Sequence, residues 1–154
     1  MIPHILIIDA DASAAQTTLA LVARVTANAT LAVEANLEHG RVSLQQHTVD
    51  ALIIDPAPHD LAAARLIAWV TMEHPAVRVI VLASTVPWAV RRQIAALRIA
   101  RYLEKHTGPT LLIEQLHSAL DPIVHAVPMK LLPPRISVGA EPCSLLLAQE
   151  QSKR

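Results

Sequence analysis

The sequence predicts an α/β fold in which short strands alternate with longer helices. Short runs of Ile, Leu and Val with little alternation are typical of strands buried on both faces of a parallel sheet. The longer stretches between them carry apolar residues at helical spacing. Because ligand chemistry collects at the carboxyl edge of such sheets, acids at strand ends predict an acidic pocket there. Asp9 and Asp55 end two of the runs, His4-Ile5-Leu6-Ile7-Ile8 and Ala51-Leu52-Ile53-Ile54.

The composition indicates one compact domain without a strong net charge. The chain has 154 residues, of which 53% are apolar, enough for one well-filled core. Thirteen basic residues balance thirteen acidic ones, so no net field is available to hold nucleic acid or an anionic membrane. The apolar stretches are strand-sized, the amino terminus lacks a signal region, and the single cysteine, Cys143, forms no internal disulfide. We therefore expect a soluble cytoplasmic protein.

Five strand-like runs are present, and polar or turn-forming residues bound each of them. The first and the third end at the two aspartates. The fourth is rich in β-branched residues, which favour strands. The fifth is short and contains the single tyrosine of the chain. The predicted strands cover residues 4–9, 29–33, 51–55, 77–82 and 101–104.

Three helices are predicted between the first four strands. The first carries apolar residues at helical spacing, and Asp11 or Ser13 can cap it. The second is more polar and contains Gly40, which weakens a helix. A loop with two prolines follows Asp55, and Asp60 is placed to cap the third helix. These helices cover residues 12–25, 35–46 and 61–73.

Two further helices follow the fourth and the fifth strand. Ser84 and Thr85 precede Pro87 and are expected to cap a helix that reaches residue 97, since proline is tolerated in a helix's first turn. A turn over residues 105–109 leads to the last helix, which ends near residue 125. The apolar face of that helix is formed by Leu112, Leu116, Leu120 and Ile123.

The domain is expected to span residues 1–125, with residues 126–154 as a tail. Four prolines interrupt any long element of the tail, although residues 143–149 could make a short helix. No sustained periodic face is present, which argues against an independent domain. Docking of the tail on the body through Leu145, Leu146 and Leu147 is left open.

Four motifs follow the predicted strands in a fixed order, and each of them alone is weak. They are Asp9, Asp55, Ala83-Ser84-Thr85 and Tyr102-Leu103-Glu104-Lys105, after the first, third, fourth and fifth strands. In this register the chain, over about residues 3–125, resembles the receiver domain of bacterial two-component response regulators. Four motifs in order are fairly specific to that family.

The resemblance implies a flavodoxin-like (CheY-like) three-layer fold with a five-stranded parallel sheet of order 2-1-3-4-5. It also implies that Asp55 accepts a phosphoryl group from a histidine kinase, and that Asp9 and Asp55 help to hold Mg²⁺. Lys105 would pair with the phosphoryl group, and a hydroxyl after the fourth strand, here Ser84, would bind it. Tyr102 would report the state of the domain.

Two departures from the family pattern predict a degenerate receiver. The residue after Asp9 is Ala10, which has no oxygen for a metal where receivers usually have a second acid. Asp11 could compensate, but we expect it to cap the first helix instead. The position of the phosphate-binding hydroxyl falls on Ala83, with Ser84 one residue later and pointing elsewhere. Mg²⁺ binding and switching are both expected to be impaired.

These features favour a non-enzymatic signalling module that acts through protein–protein interaction, with a histidine kinase or another signalling protein as its partner. One alternative is an ordinary receiver that the kinase phosphorylates on Asp55. Asp9 and Asp11 would then hold Mg²⁺ together. Ser84 or Thr85 would supply the hydroxyl. A second alternative is a small flavodoxin-like ligand-binding protein that uses the same sheet edge.

The last β-α region is the predicted partner surface, and we expect a homodimer. The resemblance points to the face made by the fourth helix, the fifth strand and the fifth helix. Tryptophan and arginine are favoured anchors at interfaces. A solvated helix face is the alternative for the same residues, which are Trp88, Arg91, Arg92 and Arg98.

Overall fold

The computed structural model describes residues 2–124 as five strands and five helices in strict alternation. The strands are β1 (His4–Ile8), β2 (Thr30–Glu34), β3 (Ala51–Ile54), β4 (Arg78–Ala83) and β5 (Arg101–Glu104). The helices are α1 (Ala12–Val25), α2 (Leu37–Gln46), α3 (Asp60–Glu73), α4 (Trp88–Ala95) and α5 (Pro109–Val124), and a 3₁₀ turn at Lys105–Thr107 precedes α5. Their ends agree with the predicted ones to within two residues, and those of α1 and β5 agree without any difference. The predicted tail, residues 126–154, lies outside the described residues.

The five strands are parallel and form one sheet in the order β2-β1-β3-β4-β5. This confirms the strand order that the resemblance implied. β1 lies between β2 and β3, and its last residue, Ile8, is opposite Glu34 on one side and Ile54 on the other. The residues that follow β1 and β3 are therefore neighbours at the carboxyl edge of the sheet.

Helices cover both faces of the sheet, so each strand contributes to two hydrophobic cores. Ile5 and Ile7 pack in the core that α1 and α5 cover. Leu6 and Ile8 pack in the core that α2, α3 and α4 cover. All four side chains are at most 2% exposed. Burial on both faces explains why the strands read as continuous apolar runs.

Helix α5 is amphipathic, and its predicted apolar face is confirmed. Leu112, Leu116 and Leu120 are buried against the sheet, and Ile123 packs at the margin of the same core. With 16 residues, α5 is the longest of the described helices. Among residues 2–124, no helix is long and apolar enough to cross a lipid bilayer.

The first helix begins where the sequence predicts. The carboxylate of Asp11 accepts hydrogen bonds from the backbone N–H groups of Ser13 at 2.8 Å and Ala14 at 3.0 Å. These two donors have no partner within the helix, so a side-chain oxygen stabilises its first turn. Asp11 is therefore the N-cap of α1, as expected.

Gly40 has a steric role inside α2, where the sequence predicts a weak point. A Cβ atom at this position would lie 2.9 Å from Cγ1 of Ile8 and closer still to its Cδ1 atom. Glycine therefore allows α2 to approach the sheet closely at Ile8. The helix starts at Leu37, since the side chain of Asn36 caps it by accepting from the N–H of His39 at 2.8 Å.

Two of the predicted helix caps are wrong. Helix α3 begins at Asp60 itself, so this carboxylate lies in the first turn and makes no cap hydrogen bond. Helix α4 begins at Trp88, because Pro87, with φ −51° and ψ 138°, keeps the chain extended up to that point. Ser84 and Thr85 are therefore too far from the first turn of α4 to cap it.

Candidate functional site

Asp9 and Asp55 lie side by side at the carboxyl edge of the sheet. The backbone N–H of Asp55 donates to the carbonyl of Ile8 at 2.9 Å, and that of Asp9 to the carbonyl of Glu34 at 3.1 Å. The strand ladder thus holds both residues one position beyond the strand ends. Their side chains are 5% and 9% exposed, respectively. The two carboxylates meet where the sequence predicts an acidic pocket.

Lys105 joins the two carboxylates. It is the first residue of the 3₁₀ turn after β5, and its Nζ atom lies 2.7 Å from Oδ2 of Asp9 and 2.5 Å from Oδ2 of Asp55. We call Asp9, Asp55 and Lys105 the acid–lysine cluster. Two carboxylates and one ammonium group leave the cluster with one net negative charge.

Backbone donors hold the other oxygen of each carboxylate. Oδ1 of Asp9 accepts from the N–H of Asp11 at 2.9 Å, and Oδ1 of Asp55 accepts from the N–H of Ala57 at 3.0 Å. Each carboxylate therefore contacts its own loop with one oxygen and Lys105 with the other. Sequence reasoning missed these donors, because any residue type except proline supplies a backbone N–H.

The acid–lysine cluster keeps Lys105 charged. Burial alone lowers the pKa of a lysine, because it disfavours the ammonium form. Here the hydrogen bonds and charges of Asp55 and Asp9 outweigh that effect, and the pKa of Lys105 is raised above its ordinary value. The side chain of Lys105 is 16% exposed, and its ammonium group stays protonated throughout the neutral range. The cluster is thus an ion-paired set at neutral pH.

The predicted metal ligands are not arranged as a full set for Mg²⁺. Asp11 directs its carboxylate to the start of α1, where hydrogen bonds from the N–H groups of Ala14 and Ser13 hold its pKa below the usual value. Within the described part of the chain, no group of three or more His, Cys, Asp and Glu side chains could hold a metal ion. Asp9 and Asp55 remain, and both contact Lys105.

A small cavity of about 40 Å³ lies where the second acid of a receiver would be expected. Ala10, Asp55 and His59 are among the residues that line it. A space of this size can hold about one water molecule. The methyl group of Ala10 offers no oxygen to a cation there. The residues present do not fit a resident Mg²⁺, since a cation would have to compete with the ammonium group for both carboxylates.

The end of β4, where the resemblance places a phosphate-binding hydroxyl, carries only the methyl group of Ala83. Ala83 ends β4 opposite Glu104 and is fully buried. Ser84 follows it and is exposed. Within residues 2–124, the hydrogen-bond partners of the Asp55 carboxylate are Lys105 and the N–H of Ala57, so Ser84 is not joined to the cluster.

Tyr102 is half-buried in β5, and Arg91 covers its ring. The guanidinium carbon of Arg91 lies 4.6 Å from the ring centroid, and its Nη1 atom lies 3.3 Å from Oε1 of Glu104. Burial raises the pKa of the Tyr102 phenol, and the positive charge of Arg91 opposes that rise. Arg91, one of the predicted interface residues, connects α4 to β5 within the chain, and its side chain remains 55% exposed.

The other predicted interface residues lie on the surface. Trp88 is 72% exposed, which is unusual for a large aromatic side chain. The guanidinium carbon of Arg92 lies 6.0 Å from the centroid of its ring. Arg98 is also exposed, beyond the end of α4. Trp88 and Arg92 therefore form one exposed pair on α4, and Arg91 is exposed on the same helix.

Comparison with solved structures identifies the fold. A signal receiver domain of an HD domain-containing protein from Pseudomonas fluorescens superposes with a TM-score of 0.70 at 21% identity, over 82% of this chain and 100% of that one. A CheY-like response regulator receiver domain protein from Methanospirillum hungatei gives a TM-score of 0.69 at 16% identity, over 79% and 95% of the two chains. The chain has the receiver-domain fold.

The receiver fold is retained here at low sequence identity. A putative pilus assembly-related protein from Burkholderia pseudomallei also superposes, with a TM-score of 0.64 at 18% identity, over 78% of this chain and 90% of that one. No family model matches the sequence, and no curated protein matches it. Identities this low show the fold alone, because buried positions tolerate many apolar substitutions while the architecture persists.

Proposed function

We propose that this chain is a receiver-like signalling module that acts through protein–protein interaction and has a low capacity for phosphorylation. The observation that carries the proposal is the contact of Lys105 with both Asp9 and Asp55, at 2.7 and 2.5 Å. The receiver fold supports the signalling role, since solved domains with this fold are described as signal receivers. Asp55 is the candidate phosphoacceptor by its position after β3.

Reduced phosphorylation follows from the chemistry that the surrounding residues lack. Transfer of a phosphoryl group to a carboxylate needs a metal to neutralise developing charge and donors to hold the phosphoryl oxygens. Ala10 supplies no metal ligand, and Ala83 supplies no hydroxyl donor. Lys105 neutralises part of the charge of Asp55 without a metal. The cluster would therefore hold the domain in one conformation.

The proposed partner is a histidine kinase or another signalling protein, and the chain itself is proposed to have no enzymatic activity. A second copy of the chain is the proposed partner of the exposed Trp88–Arg92 pair on α4. Nucleic acid and membranes are not proposed as partners, because thirteen basic residues balance thirteen acidic ones. A cytoplasmic location would suit these partners.

The proposal is tested by Mg²⁺ binding and by phosphorylation of the purified protein. We expect calorimetric titration with Mg²⁺ to give weak or absent binding, and incubation with Mg²⁺ and acetyl phosphate to leave the intact mass unchanged. Beryllofluoride, an analogue of the phosphoryl group, should likewise leave the protein unchanged. Efficient Mg²⁺-dependent phosphorylation on Asp55 would instead establish an ordinary phosphoacceptor receiver.

A matched variant shows whether Ala10 and Ala83 are responsible for the weak Mg²⁺ binding. The double substitution Ala10→Asp and Ala83→Thr places an acid beside Asp9 and a hydroxyl at the end of β4. We expect Mg²⁺ affinity to rise by at least about tenfold, because even residues that orient metal ligands contribute that much. No gain in the double variant would contradict the assignment of these positions.

A further inference from the structure

A groove of about 870 Å³ lies at the amino edge of the sheet, opposite the acid–lysine cluster. The residues before β1, the loop from α1 to β2 and the last turns of α5 enclose it. Ile2 lines this groove and is 68% exposed. A groove of this volume is as large as typical ligand sites. Its apolar lining consists of Ile2, Pro3, Val25, Ala27, Ala29 and Val124, and its polar lining of Thr26, Asn28, Thr30 and His117.

Helix α5 ends at this groove, since Val124, its last described residue, lines it. Residues 126–134 read Ala-Val-Pro-Met-Lys-Leu-Leu-Pro-Pro, so Lys130 is the single polar side chain among nine residues. Seven extended residues span roughly 24 Å. The apolar segment thus begins within reach of the apolar lining.

We propose that residues 126–132 of the same chain occupy the groove in an extended conformation. Pro128 disfavours a helix at residue 127, which suits an extended course from the end of α5. Val127, Met129 and Leu131 share one side of an extended segment, where they would cover Ile2, Val25 and Ala29 and remove this apolar surface from water. Attachment to α5 gives the segment a high effective concentration at the groove, which a separate partner lacks.

The topology excludes the main alternative course for this segment, a sixth parallel strand beside β5. Along the steps from β3 to β4 and from β4 to β5, the connecting helices α3 and α4 lie on one face of the sheet, and α5 lies on the other. A further step in the same direction through α5 would therefore be left-handed. Such crossovers are almost absent from proteins. The segment begins at the amino edge instead, because Val124 lines the groove there.

Hydrogen–deuterium exchange on the full chain tests the placement. We expect the amides of Val127 and residues 129–132 to exchange at least about tenfold more slowly than in an unstructured peptide. Ile2→Asp should abolish that protection. The matched control Leu61→Asp replaces a similarly exposed side chain, 58% against 68%, at the opposite edge, and should leave it intact. If these amides exchange in the unaltered chain as fast as in an unstructured peptide, the proposal is overturned.

A disulfide trap distinguishes the chain's own segment from that of a second copy. In a Cys143→Ser background, cysteines are introduced by Ala27→Cys in the groove and Leu131→Cys in the segment. We expect the disulfide to form within one chain, so that the oxidised product runs as a monomer on a non-reducing gel. A disulfide between two chains would overturn the proposal and assign the groove to a second copy. Neither experiment depends on phosphorylation of Asp55.

Discussion

The guanidinium group of Arg91 lies over the ring of Tyr102, 4.6 Å from the ring centroid. The same group contacts Glu104, so α4 and β5 are joined through one side chain. The ring of Tyr102 is thus held from one side by Arg91. Its ionisation is therefore a direct probe of the contact between α4 and β5.

Removal of the Arg91 charge should raise the pKa of Tyr102 further. Burial already raises that pKa, and the Arg91 charge opposes the rise by favouring the phenolate. We expect Arg91→Met, which keeps apolar cover over the ring, to shift the titration of Tyr102 to higher pH. Tyr102 is the single tyrosine of the chain, so the absorbance of ionised tyrosine reports it alone. Arg92→Met is the matched control and should not shift it.

Removal of Lys105 should destabilise the protein at neutral pH. Lys105→Met leaves Asp9 and Asp55 buried beside each other without a counter-charge. We expect a loss of about 2 kcal/mol in the free energy of unfolding, below the roughly 3–5 for a fully buried pair because the site reaches solvent. Denaturant unfolding measures it. The triple variant Asp9→Asn, Asp55→Asn and Lys105→Met should lose less unfolding free energy, because no buried charge is left unpaired. A Lys105→Met variant as stable as the unaltered protein would contradict the ion-pairing role of Lys105.

The destabilising effect of Lys105→Met should be lost at strongly alkaline pH. The pKa of Lys105 is raised in the folded state, so its contribution is complete below the ordinary lysine value, 10.5, and is lost as pH rises through the folded pKa. We therefore expect the difference in unfolding free energy between the unaltered protein and the variant to narrow at strongly alkaline pH. A difference that does not change with pH would show that lost packing, not charge, is responsible.

Substitution of Gly40 should destabilise the protein, although alanine is the better helix former. At an exposed helix position, Gly→Ala gains about 1 kcal/mol. At Gly40 the added Cβ would meet Ile8, and overpacking of this kind costs about 1–3 kcal/mol. Ile8→Val removes the Cδ1 atom. We therefore expect Gly40→Ala to cost less in an Ile8→Val background, as a double-mutant cycle of unfolding free energies would measure. Additive effects would contradict this contact.

Replacement of Trp88 and Arg92 should weaken self-association. The pair is exposed on α4, and aromatic and arginine side chains carry much of the energy of interfaces. We expect Trp88→Ala with Arg92→Ala to weaken a homodimer by at least about tenfold, since a hot-spot residue costs about 2 kcal/mol or more. Sedimentation velocity measures the association. Met72→Ala, on the exposed side of α3, is the control, and a monomeric unaltered protein would refute the interface.

The sequence by itself determined the order of the strands and helices, and it showed which strands are buried on both faces. Runs such as residues 51–54 are apolar at every position because both faces of the sheet are covered, and this pattern does not depend on distant contacts. The register of Asp9, Asp55 and Lys105 followed from their places after β1, β3 and β5. The cap at Asp11 was also predictable, because the capping contacts are made within three residues.

The tertiary structure decided what those side chains contact. Lys105 is 50 residues from Asp55 in the chain, and the parallel register of the strands brings them within 2.5 Å. From the sequence, Gly40 was predicted only as a weak helix position, because glycine has a low helix propensity. Its contact with Ile8 joins residues far apart in the chain, so only the folded structure shows it. The predicted caps of α3 and α4 were wrong because local signals place a helix end only to within about one or two residues. Helix α3 begins at Asp60 itself, and Pro87 keeps the chain extended up to Trp88.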